Sequence, residues 1–263
     1  MTAIRSQTPA SQTGMPFVNL VNRDAFEALL WQKGYDVLLE EAIRCPCKGI
    51  SSDGKPSCLN CLGMGWVFVN PIQTKAIVTS INKVTQYKDW SEEMRGTAAM
   101  TFMNADRIGF MDKVTFSNNY STFSEILEVR TVGTTPNVKK IVFCSYKPYA
   151  VKSIFMYAGS STKLRKLLTT EYSISSVNPY VIELNLSSYP SGFNQCISIS
   201  YSHHISYNVL DLPHDVRITV EQNNNGIKEK RDMPIQTIAR KSHFMIGIPT
   251  AYDSNNLLDN SWK

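Results

Sequence analysis

Apolar positions along the chain change period once, and the change divides the sequence. Between residues 22 and 44, Phe26, Leu29, Leu30, Leu38, Ala42 and Ile43 fall mostly three or four apart. Such spacing lines up one face of an α-helix, so the pattern predicts a helix over 22–44. Asn22 or Asp24 is placed to cap its start, Gly34 to kink or divide it, and Pro46 to end it. Beyond Gly65 the period is two. Ile197, Ile199 and Tyr201 alternate with Ser198, Ser200 and Ser202; Val216, Ile218 and Val220 alternate with Arg217, Thr219 and Glu221; Ile182, Leu184 and Leu186 alternate with polar neighbours. Each run describes a strand with one buried and one solvated face. Less regular strands are predicted at 66–70, 75–84, 97–103, 113–116, 126–130, 141–146 and 154–157. Asn223-Asn224-Asn225-Gly226 supplies a hairpin turn, because Asn-Gly tolerates positive φ, and the return strand is expected through Ile235, Thr237 and Ala239. The predicted class is mainly β: a β-barrel or sandwich core with one N-terminal helix.

The same pattern suggests a division into parts. Residues 1–19 are rich in Ser, Thr, Gln and Pro without periodicity and read as a flexible N-terminal arm. From 125 to 207 the chain is poor in acidic residues and rich in Ser and Tyr, with short, evenly spaced strands. That suits an inserted immunoglobulin-like β-sandwich, with 20–124 plus 208–250 forming the core β domain and 251–263 a C-terminal tail. Phe17, Val18 and Leu20 at one end, and Leu257, Leu258 and Trp262 at the other, give these segments apolar anchors for a neighbour.

Composition narrows the class. Of the 263 residues, 43% are hydrophobic and 19% charged, as in a folded domain. Lys and Arg total 27 against 22 Asp and Glu, a net charge of +5 that permits contact with DNA without demanding it. Nothing approaches the ~20 apolar residues of a membrane span, and the first twenty residues lack a hydrophobic signal core, so neither a membrane protein nor a secreted one is expected.

Six cysteines carry the one strong chemical signal. Cys144 and Cys196 stand alone in apolar, strand-like runs and are expected as small core hydrophobes. Cys45, Cys47, Cys58 and Cys61 fall within seventeen residues, as Cys45-Pro-Cys47 and Cys58-Leu-Asn-Cys61-Leu-Gly63-Met-Gly65. The second half is a CxxCxGxG zinc knuckle, whose glycines leave the turn open for backbone amides to face the sulfurs. Four thiolates satisfy tetrahedral Zn2+ and leave no position for water or substrate, so the expected metal is structural. Arg44, Lys48 and Lys55 stand ready to offset the negative charge of such a centre. Other readings carry less. Gly54-Lys55-Pro56 spoils a phosphate-binding loop by placing Pro where Ser or Thr must hold magnesium. Adjacent His203 and His204 point to opposite sides of a strand and make poor joint ligands, and the run from Leu210 to His214 reads as a structured turn. No GxSxG or HExxH element and no paired carboxylates mark a catalytic site, so no enzyme is expected.

The order of these features resembles a known family. A polar arm precedes a helix ending in Cys-Pro-Cys, then CxxCxGxGW, an early hairpin, Ala105-Asp-Arg-Ile-Gly-Phe110 and Asp112-Lys-Val-Thr-Phe116, and later the run from Tyr207 to Arg217. This layout is similar to neck proteins of tailed bacteriophages, in the style of crAss-like phages: the head-completion, stopper or ring proteins beneath the portal. The resemblance implies a virion structural protein in the head-tail connector and a homo-oligomeric ring, expected as a dodecamer, around the DNA channel. It also implies contacts with the portal or adjacent neck and tail proteins and non-specific contact with DNA. Two other functions fit the residues: a zinc-dependent nucleic-acid-binding module, and a tail-associated carbohydrate-active enzyme with two carboxylates in an aromatic-lined cleft.

Overall fold

In the computed structural model, residues 23–48, 58–79, 96–132, 139–157, 163–186, 196–214, 218–222, 228–246 and 249 are described. Helix α1 (Arg23–Lys33) places Asp24 in its first turn and Lys33 in its last, each favourable to the helix dipole, and buries Leu30. The helix stops at Gly34, whose N–H donates to the Leu30 carbonyl at 2.8 Å. Residues 35–44, expected as the second half of a helix, instead form strand β1 (Tyr35–Arg44). Its buried residues are Val37 and Leu39, a period of two, and it pairs antiparallel with β2 (Trp66–Thr79) and with β4 (Lys113–Glu128). Ladders on both sides outweigh the weak helical preference of Leu, Glu and Ala in this stretch.

The chain is mainly β, as the alternation predicts. Strand β2 is one strand where two were expected. It passes through a bulge at Asn70 (φ 50°), opposite the register shift between Leu39 and Glu41. Pro71 is tolerated beside this bulge, because β3 (Thr97–Phe102) pairs with β2 only over Ile77–Thr79. β11 (Cys196–His214) is 19 residues long and β14 (Ile235–Lys241) pairs with both β3 and β11. The order β14-β3-β2-β1-β4-β11 therefore returns to β14, closing an antiparallel barrel of six strands. Inward-facing Val37, Leu39, Ala76, Ala98, Met100, Phe102, Val114, Phe116, Val209 and Ala239 fill it, as side chains must in a barrel this small.

β4 and β11 run on beyond the barrel. Their outer halves pair with each other from Glu128 and Cys196 to Tyr120 and His204, and β11 also pairs with β7 (Ala150–Tyr157), which holds β8 (Leu164–Lys166). This layer shares one buried cluster with a second sheet, β5 (Arg130–Val132), β6 (Lys139–Phe143), β10 (Val181–Leu184) and β9 (Tyr172–Ile174), in that spatial order. Leu127, Val142, Cys144, Ile154, Ile182, Leu184, Ile197, Ile199 and Tyr201 form its centre, so this half is a sandwich with its own core. Its buried residues come from 127–201, whereas those of the barrel come from 37–116 and 209–239.

Three expectations are corrected here. The strand returning from β12 (Ile218–Gln222) is β13 (Lys228–Asp232), not the run through Ile235, which belongs to the barrel. The turn expected at 223–226 lies outside the described residues. Residues 210–214 continue β11 rather than turning, with irregular register opposite β14. Cys144 is buried as expected, but Cys196, the first residue of β11, is exposed. The predicted arm and tail lie outside the described residues. No helix among those described is long and apolar enough to cross a membrane.

Candidate metal centre

The first pair of cysteines follows directly from β1. Cys45 is the residue after the strand, its N–H donating to the Gly65 carbonyl at 2.8 Å, and Pro46–Lys48 form a 3-10 turn that brings Cys47 round to the same side. The second pair sits in the tight turns before β2, with the Met64 N–H donating to the Cys61 carbonyl at 2.9 Å. Leu62 (φ 53°), Gly63 (φ 84°) and Gly65 (φ 79°) are all left-handed, and the two glycines adopt this conformation at no steric cost. Amides of Gly63 and Gly65 donate to the Cys61 sulfur, and those of Asn60 and Cys61 to Cys58. Because β1 and β2 pair Arg44 with Trp66, one ladder delivers both halves of the cluster to one place.

The four Sγ atoms lie within 4.8 Å of one another. Cys45 and Cys58 are 3.8 Å apart, as are Cys47 and Cys61. Those distances exceed the ~2.05 Å of a disulfide by far. Four sulfurs around one metal at ~2.3 Å define a tetrahedron with edges of ~3.8 Å, the spacing found in both pairs. Cys45 and Cys61 are buried and Cys47 and Cys58 half-buried. The donor set and its spacing thus fit one four-coordinate metal ion held by Cys45, Cys47, Cys58 and Cys61. Burial pushes the Cys61 thiol up to about 12, against the pull of the Gly65 and Gly63 amides. Burial also works to raise Cys58, but the Cys61 amide, the Cys61 thiol and the Asn60 amide outweigh it and bring Cys58 down to about 7. Four neighbouring thiols cannot all ionise alone; a divalent cation among them reverses that balance.

Arg44 stacks over the Trp66 ring at 4.8 Å, and Trp66 meets Phe110 edge-on at 6.4 Å. Of the flanking cations expected from sequence, the Lys48 side chain and Lys55 lie outside the described residues. Sequence reasoning missed the support behind the site. Buried Asp112 accepts from the Gly109 N–H at 2.6 Å and from the Ala42 N–H at 2.9 Å. It thereby fastens the 103–112 loop to β1 three residues before Cys45, and Met111 (φ 69°) donates its N–H to the Val209 carbonyl across the barrel end. Local spacing around Gly109-Phe110-Met111-Asp112 gives no sign of this role, because Ala42 is 70 residues away.

A second polar group joins barrel to sandwich. Glu125 accepts from Tyr201 Oη at 2.7 Å, Ser145 N–H at 3.0 Å and Ser145 Oγ at 2.5 Å. The Tyr146 ring stacks on His203 at 3.8 Å and 12°, and its hydroxyl lies 3.3 Å from His243 Nε2. His203 and His204 face opposite sides of β11: the first is buried on Tyr146, the second packs on Tyr120 at 4.5 Å. Burial, with Lys241 and His203 adding to it, holds His243 down to about 4. One carboxylate, two neutral imidazoles and phenols make this a structural seam.

Against known proteins, no family model and no curated protein matches the chain. Fold and site together define a mainly β protein, a closed barrel continued by a sandwich, with a four-cysteine cluster arranged for a metal ion.

Proposed function

We propose that this protein is a virion structural protein of a tailed phage, forming a ring in the head-tail connector, with zinc in the four-cysteine site. The observation that carries the assembly reading is the edge of the sandwich. Both sheets end on the same run of chain, one on β8 and the other on β9, and neither strand has a second neighbour among the described residues. Around them Leu164 (61% exposed), Leu168 (65%), Ile174 (40%) and Val177 (43%) stand in solvent. Unpaired strand edges with apolar side chains favour pairing with another chain, and identical subunits can repeat that contact around a ring. The closed barrel and a four-ligand metal site supply the rigid body such a contact needs. Negative-stain electron microscopy of the purified protein tests this. Closed rings are expected; monomers at every concentration would refute it.

Zinc is the proposed metal because an all-thiolate tetrahedron suits it, and it would join the end of β1 to the start of β2. Elemental analysis of protein made in zinc-replete medium is expected to find one zinc per chain, lost in the Cys58→Ser Cys61→Ser double variant. Near-zero zinc in the wild type would refute the assignment. A second reading, nucleic-acid binding beside the knuckle, is favoured by the half-exposed Phe110 ring next to Trp66 and Arg44. Salt-dependent binding of single-stranded DNA that weakens in Phe110→Ala would favour it over the ring.

A further inference from the structure

A cleft of about 480 Å3 lies where the outer wall of the barrel meets the sandwich, within the ~300–1,000 Å3 range of small-molecule sites and at a junction where such sites concentrate. Its floor is the outward face of β1, β4 and β11, where register sets Leu38 beside Thr115 and Glu40 beside Lys113, with Ser206 opposite Thr115 on the other side. Its far wall is the 145–149 turn with Tyr180 and Ser242.

The polar lining is unusual in kind. Hydroxyls of Thr115, Ser117, Ser206 and Ser242 contribute to it, and those of Thr115 and Ser242 are buried with no hydrogen-bond partner. A buried hydroxyl without a partner is costly, and both of these residues line the cleft. His204 donates from Nδ1 to the Phe116 carbonyl at 3.1 Å, which leaves Nε2 as an acceptor. At the rim Tyr149 is 59% exposed, and its ring is held by Tyr120 at 4.7 Å and, edge to face, by His204 at 5.2 Å, so a fixed ring stands partly in solvent. Charge is unequal: Lys113 is paired with Glu40 at 3.5 Å, whereas no described carboxylate lies within ion-pair distance of Lys147.

We propose that this cleft binds an acidic hexopyranoside, a sugar ring bearing one carboxylate. Its ring hydroxyls both donate and accept, as the Ser, Thr and His204 lining requires; its C–H face lies on Tyr149; its carboxylate meets Lys147. Among the lining residues Glu40 is the sole carboxylate, so the cleft binds a sugar without the acid pair that glycoside hydrolysis uses. This goes beyond the assembly reading and stands independently of it.

The test is saturation-transfer NMR and calorimetric titration of the full chain with methyl glucuronoside and methyl galacturonoside, with methyl glucoside and sodium sulfate as controls at matched ionic strength. One uronoside is expected to bind saturably, at least fivefold more tightly than methyl glucoside, without displacement by sulfate. Lys147→Ala, an exposed change, is expected to weaken it about fivefold, equivalent to ~1 kcal/mol. Tyr149→Ala is expected to abolish saturation transfer to the ring protons. The proposal is overturned if neither uronoside saturates up to about 10 mM, if sulfate displaces the sugar completely, or if both variants bind as the wild type does.

Discussion

At Gly34 the chain turns from helix to strand within one residue, and the packing there admits no side chain. A Cβ would stand 2.4 Å from the Leu30 carbonyl oxygen and 3.1 Å from Lys75 Cβ. The first contact is with backbone, so the turn itself must move. Gly34→Ala is expected to cost about 1–3 kcal/mol, the usual range for forced overpacking, read as a lower denaturant midpoint. An unchanged midpoint would show that the junction yields freely. Asp112 acts at the same scale but over a longer distance, two backbone amides converging on one carboxylate to lock a loop against β1. The cysteines were readable residue by residue because their spacing is itself the chemistry. Asp112 was not, since its partner at Ala42 is 70 residues away.

Among the elements, β4 and β11 decide the architecture. Each enters the barrel at one end and the sandwich at the other, so the two cores share a pair of continuous strands. The short helix α2 (Ser242–Met245) packs at their junction through His243, whose ring lies 4.5 Å from Tyr146. Its folded pKa is depressed from 6.5 to about 4, chiefly by burial. The unfolded chain therefore binds the proton first, and stability present above about pH 6.5 is lost as pH falls towards 4. His203 is shifted in the same direction, again by burial first. A His243→Phe variant is expected to show a shallower fall in denaturant midpoint than the wild type across that window. Parallel pH profiles would mean that this imidazole gains its proton as easily folded as unfolded. The alternation in 197–201 predicted a strand correctly, yet it gave no sign that β11 would extend to His214.

For the whole molecule, the central question is how far the two cores are independent. We propose that 125–207 is a separable unit, because every buried residue of the sandwich cluster lies between Leu127 and Tyr201. Expressed alone, that piece is expected to unfold cooperatively in denaturant, since its buried cluster is its own; the contacts it loses include those of Phe123, of His243 on Tyr146 and of the Pro249 carbonyl on Asn178. A gradual, non-cooperative transition would show instead that the barrel halves of β4 and β11 are needed to hold the sandwich together.

Local chemistry and period were determined by the sequence itself. Four cysteines at ligand spacing, glycines where the turn needs positive φ, and alternating apolar residues each act within about twenty residues, so a linear reading finds them. Tertiary structure decided the rest. Residues 35–44 carry a pattern compatible with helix or strand, and only the ladders to β2 and β4 choose between them. The pairing of β14 with both β3 and β11 closes the barrel, although Ile235 and its neighbours alternate as any hairpin strand would. The cleft beside Lys147 and Tyr149 likewise exists only because the barrel wall and the 145–149 turn meet. Hydrogen-bond partners and contacts far apart in the chain leave no mark on local spacing, because pairing energy depends on which strands meet in space.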